Sequence, residues 1–230
     1  MAAGLGSRMR PLTEKVPKPL VKAHNRSMID TVISGLEKRG VERIYIVVGY
    51  LGDQFAFLET QYPNVSLIRN NEYTVKNNIS SIHAVAEIMK TADCFICEAD
   101  LFVSDPSIFE AELEESCYYG KMVAGYSDDW VFDLNADGRI VRVGKGGTDT
   151  YNMVGVSYFK QKDAAVIANA VQEAYRHEGH EQLYWDEIVD QQLDKVKLGI
   201  YPVTGEQIIE IDSVDELAAF DPDYKNYNKE

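Results

Sequence analysis

Cysteine is scarce in this 230-residue sequence, which contains only three. A low and odd count argues against a disulfide framework and is typical of proteins from a reducing compartment, so we expect a cytoplasmic protein. Cys94 and Cys97 form a C-x-x-C pair inside a strand-like run, where residues three positions apart point to opposite faces. No second pair of cysteine or histidine ligands follows, which disfavours a zinc site.

Basic residues are also few, with 23 Lys and Arg against 37 Asp and Glu and a formal net charge of −14. This balance argues against a general nucleic-acid binder, because phosphate backbones require clustered basic side chains. No apolar run approaches the length of a membrane span, and the start of the chain lacks the apolar region of a signal peptide. A small anionic substrate remains compatible, since one local cluster of basic residues is sufficient for it.

The first half of the sequence alternates between helical apolar spacing and short apolar runs typical of buried strands. Helices are predicted at 27–39, 51–62 and 79–90, and strands at 43–49, 65–69 and 94–97. Strands that alternate with helices of this length indicate βαβ units. We therefore predict an α/β fold with a mostly parallel sheet flanked by helices.

The second half has a different pattern, with several strand-like runs in succession. Strands are predicted at 122–126, 130–134, 139–143 and 153–159, helices at 163–177 and 183–193, and a last short strand at 208–211. Ser213 and Glu216 have the spacing of a capping box for a final helix. The expectation is one domain over 1–220, with a smaller antiparallel part after about residue 115, followed by a polar tail or linker at 221–230.

A glycine-rich string occupies positions 3–13 and is followed by Pro17-Lys18-Pro19-Leu20. Gly4 and Gly6 allow backbone N–H groups to approach a triphosphate closely. Arg8 and Lys18 can neutralise phosphate charge. The string is not a dinucleotide fingerprint, which needs a third glycine, and it is not a Walker A loop, which needs G-K-[ST].

This string resembles the signature of the nucleotidyltransferases that activate sugar phosphates and phosphocholine. Most of the chain is similar to the bacterial CTP:phosphocholine cytidylyltransferases, and two stretches, 77–81 and 183–186, separate that branch from the sugar-phosphate branch. The other similar stretches are 47–50, 98–100, 155–157 and 210–212. The resemblance implies a Rossmann-like nucleotidyltransferase sheet, with a nucleotide-binding half at about 1–115 and an acceptor-binding half at 116–220.

The resemblance also implies roles for individual residues. Arg8 and Lys18 would be catalytic, and Asp100 and Asp212, each of which follows an apolar strand, would hold Mg²⁺. Residues expected to contact the nucleotide are Ala3, Gly4, Gly6, Ser7, Asn78 and Ser81. The expected reaction is in-line attack of an anionic acceptor oxygen on the α-phosphorus of CTP, with loss of pyrophosphate.

The acceptor is expected to be a small phosphorylated amine. Its ammonium group favours aromatic faces with nearby carboxylates. The residues assigned to it are Asp129, Trp130, Tyr184, Trp185 and Asp186, with Asp128 adding charge and Lys145 facing the phosphate. Phosphocholine is the first expectation, and 2-aminoethylphosphonate and phosphoethanolamine are alternatives.

Two rival functions stay open at this point. A sugar-1-phosphate nucleotidyltransferase would make little use of Trp130 and Trp185, and a catalytically silent nucleotide-sensing module would be expected to have lost Arg8, Lys18 or an acidic ligand. The related proteins carry an apolar strand before the glycine-rich string, whereas this sequence starts at Met1. The expectation is that either the numbered chain omits upstream residues or Met1 is a late start. The polar, linker-like segment 221–230 is compatible with one domain of a longer bifunctional polypeptide that has a second enzyme domain.

Overall fold

The structure, a computed structural model, describes residues 1–225 and 227. It contains two compact units. The first unit is assembled from Met1–Asn70, Glu98–Ala111 and the described part of Glu206–Glu230, and the second from Asn71–Cys97 and Glu112–Gly205. The units therefore interleave along the sequence instead of following the two successive halves that we expected. Part of the predicted tail, 226 and 228–230, lies outside the described residues.

Ten strands and six α-helices are present among the described residues. The strands are β1 (Lys22–Ala23), β2 (Arg26–Ser27), β3 (Ile44–Val48), β4 (Val65–Arg69), β5 (Cys94–Cys97), β6 (Leu101–Val103), β7 (Cys117–Leu134), β8 (Ile140–Phe159), β9 (Gly199–Pro202) and β10 (Ile208–Glu210). The helices are α1 (Met28–Lys38), α2 (Phe57–Gln61), α3 (Ile79–Met89), α4 (Gln161–Ala174), α5 (Trp185–Asp190) and α6 (Val214–Phe220). Short 3₁₀ helices occupy Ser7–Met9, Leu12–Glu14, Lys18–Leu20, Gly52–Phe55, Pro106–Phe109, His180–Gln182 and Pro222–Tyr224.

In the first unit, the start of the chain lies beside the parallel pair β3 and β4. The Ala2 N–H donates to the Val47 carbonyl at 2.8 Å, and the Tyr50 N–H donates to the Ala3 carbonyl at 3.1 Å. On the opposite side, the Ala99 N–H donates to the Met1 carbonyl at 3.2 Å. Residues 1–3 therefore occupy a strand position, and the glycine-rich string leaves directly from it.

Helix α1 confirms the helix expected at 27–39. The Ser27 hydroxyl accepts from the Asp30 N–H and caps its first turn. Its apolar face is buried, and a Cβ on Gly35 would come within 2.5 Å of the Phe109 ring. Only glycine permits this close approach between α1 and the 3₁₀ helix Pro106–Phe109.

The second unit is built on a four-stranded sheet in the order β5-β8-β7-β9. The strands expected at 122–126 and 130–134 are one long strand, β7, and those at 139–143 and 153–159 are one long strand, β8. Register shifts at several points keep this pair continuous while it bends. Only β3–β4 and β7–β9 among the described strand pairs are parallel. The α/β class is confirmed, but the sheets are mixed and not mostly parallel. An apolar run predicts that a strand forms, but it does not indicate which strand pairs with it or in which direction.

The core of the second unit encloses an ionisable group. The Tyr118 hydroxyl donates to Asp186 Oδ1 at 2.9 Å, and both side chains are buried. The Trp185 ring, 3% exposed, stacks on Tyr118 with centroids 6.0 Å apart and meets Phe159 edge-on. Burial raises the pKa of Asp186 to about 7, although the Tyr118 hydrogen bond acts in the opposite direction. Trp185 therefore stabilises this core by packing, whereas the Tyr118 hydrogen bond only partly offsets the cost of burying the ionised Asp186.

The variant Asp186→Asn should change how stability depends on pH. A pKa raised above the unfolded value gives stability that is complete below about pH 4 and is lost as pH rises through about 7. The amide keeps an acceptor for Tyr118 but does not ionise, so the variant should gain roughly 3 kcal/mol relative to the parent between pH 5 and pH 8. Urea denaturation at both pH values measures this difference. An equal difference at pH 5 and pH 8 would show that Asp186 does not titrate in this range.

Candidate functional site

The glycine-rich string forms a tight loop in the first unit. Gly6 has φ 60, and a Cβ there would lie 2.9 Å from Lys18 Cβ. The Thr13 hydroxyl donates to the Gly6 carbonyl at 2.8 Å, which fixes the turn before the 3₁₀ helix Ser7–Met9. A Cβ on Gly4 would meet no atom within 4 Å. The loop is thus packed on the Gly6 side and open at Gly4, where a phosphate could approach the backbone.

Lys18 is the buried cation of this unit. The 3₁₀ helix Lys18–Leu20 carries it between two prolines, and its side chain is 9% exposed. Its ammonium donates to Asp100 Oδ2 at 2.8 Å and to Asp212 Oδ1 at 2.5 Å. Burial by itself lowers the pKa of Lys18, but the two carboxylates outweigh burial and raise it above its usual value. Lys18 therefore stays charged. Its ammonium forms ion pairs with both of the acidic residues that the sequence predicted as metal ligands.

Arg8 reaches the same place from the open side of the loop. One of its guanidinium nitrogens lies 2.7 Å from Asp212 Oδ1, while 70% of its side chain is exposed. An exposed ion pair of this kind contributes little to stability. Arg8 is therefore available to exchange Asp212 for a phosphate, in line with its predicted role.

Three carboxylates form a second feature of the unit. Ligand oxygens of Glu98, Asp100 and Glu210 lie within 4.8 Å of one another. Asp100 Oδ1 is buried and has no hydrogen-bond partner among the described residues. Desolvation raises the pKa of Glu210 to about 7, together with the charges of Asp100 and Asp212. Since the Glu210 side chain is exposed overall, the two neighbouring charges are the more important cause.

This oxygen-only group differs from the predicted metal pair in one respect. Asp212 is not a member of it and is instead occupied by Lys18 and Arg8. Neither Glu98 nor Glu210 was among the metal ligands predicted from the sequence. The available signal was position, because Glu98 and Asp100 directly follow one apolar strand, and Glu210 and Asp212 end or follow another.

The residues predicted for the acceptor lie in the second unit, and the structure brings most of them together. Trp130 pairs with Lys145 between β7 and β8, and its ring meets Tyr184 edge-on with centroids 5.5 Å apart. The Lys145 ammonium lies 5.9 Å from the Tyr184 ring centroid. Asp129, next to Trp130, is exposed. Together these four residues, Asp129, Trp130, Lys145 and Tyr184, form what we call the aromatic site.

Trp185 and Asp186 do not join the aromatic site. Both side chains are 3% exposed and belong to the core described above. The expectation that the Trp185 ring presents a face to a ligand is therefore not met in this structure, because Tyr118 and Phe159 cover it. A role for either residue in acceptor binding stays a prediction.

Asn78 and Ser81, predicted to contact the nucleotide, also belong to the second unit. Asn78 Oδ1 accepts a hydrogen bond from the backbone N–H of Trp185 at 2.9 Å, and Ser81 is buried on α3. Asn78 thus holds the start of α5, next to Tyr184. Nucleotide contact by these two residues, and by the loop residues Ala3, Gly4, Gly6 and Ser7, stays a prediction.

Comparison with known proteins identifies the family of this chain. The family model of the MobA-like NTP transferase domain matches residues 1–137. The chain belongs to this nucleotidyltransferase family. The residues matched by the family model include the glycine-rich loop, Lys18 and Asp100.

Several relatives that match this nucleotidyltransferase over nearly the whole length of both chains are cytidylyltransferases. A 2-aminoethylphosphonate cytidylyltransferase from Lancefieldella rimae is 53% identical over 224 residues, covering 97% of this chain and 91% of the relative. A choline-phosphate cytidylyltransferase from Streptococcus pneumoniae is 30% identical and covers 99% and 98%. A solved structure of CTP:phosphocholine cytidylyltransferase from Streptococcus pneumoniae matches with a TM-score of 0.88 at 29% identity, covering 96% and 95%.

These findings confirm the expected resemblance and the enzyme class, a cytidylyltransferase. An inositol-1-phosphate CTP transferase from T. maritima, 20% identical with a TM-score of 0.74 over 99% and 93% of the two chains, shares the fold. Among the described residues, no helix has the length and apolarity needed to cross a membrane.

Replacement of Lys18 by methionine should destabilise the nucleotidyltransferase. Without the ammonium, Asp100 and Asp212 would be two like charges in a partly buried place, at a cost of roughly 3 kcal/mol. Urea denaturation at pH 8 measures this loss. The control is Lys15→Met, a change at an exposed lysine of the same segment, and a loss no larger than that of the control would contradict the prediction.

Proposed function

We propose that this cytidylyltransferase transfers CMP from CTP to 2-aminoethylphosphonate and releases pyrophosphate. The observation that carries the proposal is the 53% identity to a 2-aminoethylphosphonate cytidylyltransferase, against 30% to a choline-phosphate cytidylyltransferase of similar coverage. This identity favours the phosphonate, which was an alternative at the level of sequence, over phosphocholine, which was the first expectation.

The chemistry of the aromatic site supports a primary amine. A primary ammonium has three N–H donors, and a carboxylate such as Asp129 can accept from them while also opposing the charge. A trimethylammonium has no N–H donor and depends on aromatic faces, of which the site offers only the rings of Trp130 and Tyr184. Lys145 supplies a positive charge for the phosphonate at the other end of the acceptor.

The transfer itself requires the protein to position the two substrates and to neutralise charge. A phosphonate oxygen, already anionic, attacks the α-phosphorus of CTP, the bond to the β-phosphate oxygen breaks, and that oxygen leaves on pyrophosphate with the electron pair. No proton must be removed from the acceptor oxygen, so no general base is assigned. Lys18 and Arg8 act by neutralising the charge that grows on the leaving group.

Mg²⁺ is proposed as the cofactor, with Asp100 and Asp212 as its ligands and Glu98 and Glu210 as the neighbouring carboxylates. Two observations support this assignment. Asp100 Oδ1 is a buried acceptor without a partner among the described residues, and Lys18 already demonstrates that Asp100 and Asp212 converge on one positive charge. Carboxylate oxygens are suitable Mg²⁺ ligands, and the ion would supply charge neutralisation to the phosphates of CTP.

Acceptor preference tests the proposed reaction. Pyrophosphate release with CTP should give the highest kcat/KM for 2-aminoethylphosphonate in a panel with phosphoethanolamine and phosphocholine. Asp129→Asn should lower kcat/KM for the phosphonate by about 10- to 100-fold, because charge-assisted hydrogen bonds are lost. Trp130→Ala should lower it by less, about tenfold at most.

The matched control is Asp128→Asn, which removes the same charge one residue away. It should leave acceptor kcat/KM within about twofold of the parent, because Asp129 is the acid that Asn152 contacts beside the aromatic site. The KM for CTP should stay unchanged in all three variants. A parent enzyme that prefers phosphocholine would overturn the choice of acceptor, and equal losses in Asp128→Asn and Asp129→Asn would overturn the role of Asp129.

Metal binding can be tested without turnover. In the presence of CTP and no acceptor, Mg²⁺ should raise the melting temperature of the parent above the value measured with CTP and a chelator. Asp100→Asn should lose this Mg²⁺-dependent increment. Asp215→Asn, a change at an exposed acid three residues after Asp212, should retain it. Retention of the full increment in Asp100→Asn would remove Asp100 from the proposed ligands.

A further inference from the structure

Asn152 on β8 has a buried acceptor that the described protein does not satisfy. Its side chain is 7% exposed, and its amide nitrogen donates to Ser127 Oγ at 2.8 Å and to Asp129 Oδ2 at 3.1 Å. Its amide oxygen, Oδ1, is buried and has no hydrogen-bond partner within residues 1–225 and 227. A buried carbonyl oxygen without a partner costs free energy, so a donor from outside the protein, water or a ligand, is expected to satisfy it.

The identity of the unpaired atom follows from the charge of Asp129. An ionised carboxylate can only accept hydrogen bonds, so the amide nitrogen of Asn152 must face it. The reversed amide would place two acceptor oxygens 3.1 Å apart, and the single proton of the Ser127 hydroxyl would not relieve their repulsion. The group that Asn152 leaves unpaired is therefore an acceptor, and its missing partner must be a donor.

Distance allows one donor to serve both side chains. In an amide the oxygen and nitrogen are about 2.3 Å apart. With Nδ2 3.1 Å from Asp129 Oδ2, Asn152 Oδ1 lies no farther than about 5.4 Å from that carboxylate oxygen. Because its N–H bonds are tetrahedral, a single ammonium nitrogen that donates to two oxygens at about 2.8 Å each holds them about 4.6 Å apart, which lies within this limit. One ammonium group can thus bind Asp129 and Asn152 together.

The surroundings match the rest of the proposed acceptor. Asn152 pairs across the strands with Val131, the residue after Trp130, so it lies beside the aromatic site. Asp129 is exposed, which leaves a route for a ligand to the carboxylate that Asn152 contacts. Lys145, the cation of the aromatic site, is paired with Trp130 in the same strand pair and is suited to the anionic end.

We propose that Asn152 determines the acceptor's degree of N-methylation by accepting an N–H from a primary ammonium through Oδ1. This inference rests on the proposed function and deepens it. A trimethylammonium of equal charge has no N–H, so it would leave Asn152 Oδ1 buried and unpaired. Sites built to hydrogen-bond a substrate group reject the analogue without that group strongly, for this reason.

The test compares two acceptors that differ only in methylation, 2-aminoethylphosphonate and its N,N,N-trimethyl analogue, at saturating CTP. Asn152→Leu keeps the approximate size of the side chain and removes its oxygen. It should lower kcat/KM for the primary amine by about 10- to 100-fold and leave that for the trimethyl analogue unchanged or higher. The ratio of the two kcat/KM values should fall by the same factor, and the KM for CTP should not change.

Ser127→Ala is the matched control, because it removes one partner of the Asn152 amide nitrogen and leaves Oδ1 in place. It should change kcat/KM for both acceptors by a similar factor, so their ratio stays near that of the parent. A purely structural Asn152 would behave in the same way as the control. Equal losses for both acceptors in Asn152→Leu would therefore overturn the proposal.

Failure of this inference is distinct from failure of the proposed function. A parent without activity on 2-aminoethylphosphonate refutes the proposed function, whereas an active parent whose acceptor ratio is insensitive to Asn152→Leu refutes the role of Asn152 alone. Circular dichroism establishes whether the variant folds, and Asn152→Ala replaces it if it does not. In the parent itself, kcat/KM should fall along the mono-, di- and trimethyl series as donors are lost, and a flat series would also overturn the proposal.

Discussion

The buried ammonium of Lys18 is the interaction on which the candidate catalytic site depends. It joins Asp100 and Asp212, which lie 82 and 194 residues away in the sequence. Each carboxylate alone would be repelled by the other and by Glu210, because the first unit gathers these acids in one place. A single cation makes this arrangement stable, and it also defines the position at which a second cation, Mg²⁺, is proposed to act.

The neighbouring glycine-rich loop depends on the same residue by packing. Gly6 lies so close to Lys18 Cβ that a side chain at position 6 would displace it. Arg8 follows directly and contacts Asp212 from the exposed side. The loop that would bind phosphates and the acids that would bind the metal therefore share Lys18 as a common contact. This sharing explains why the glycine spacing and the Pro-Lys-Pro segment occur together in the sequence.

The aromatic site is positioned differently from the acids around Lys18, because most of its residues lie on the long strand pair β7 and β8. Backbone pairing sets Trp130 beside Lys145 and Asn152 beside Val131, so a few adjacent strand positions decide the chemistry of the aromatic site. The relatives named above share the fold while their names give different acceptors. Differences of a few strand side chains can change the acceptor without changing the scaffold, as expected when function is carried by a site placed on a common fold.

The sequence alone determined the α/β class, the main helices and the nucleotidyltransferase family. Apolar periodicity reports local structure, and Gly4, Gly6, Arg8 and Lys18 lie close enough along the chain to be recognised as the family's signature. The boundaries of β4 and β5 were predicted at the observed residues, and Ser213 and Glu216 form the expected capping box.

Tertiary structure alone decided which distant residues meet and which are covered. Periodicity could not state that β7 and β8 pair over their whole length, because register and partner depend on contacts far apart in sequence. For the same reason it could not separate Trp130, half-buried in the aromatic site, from Trp185, buried against Tyr118. The unpaired oxygen of Asn152 could not be predicted from the sequence either. The hydrogen bonds of a polar residue within a strand depend on which side chains the tertiary structure places beside it.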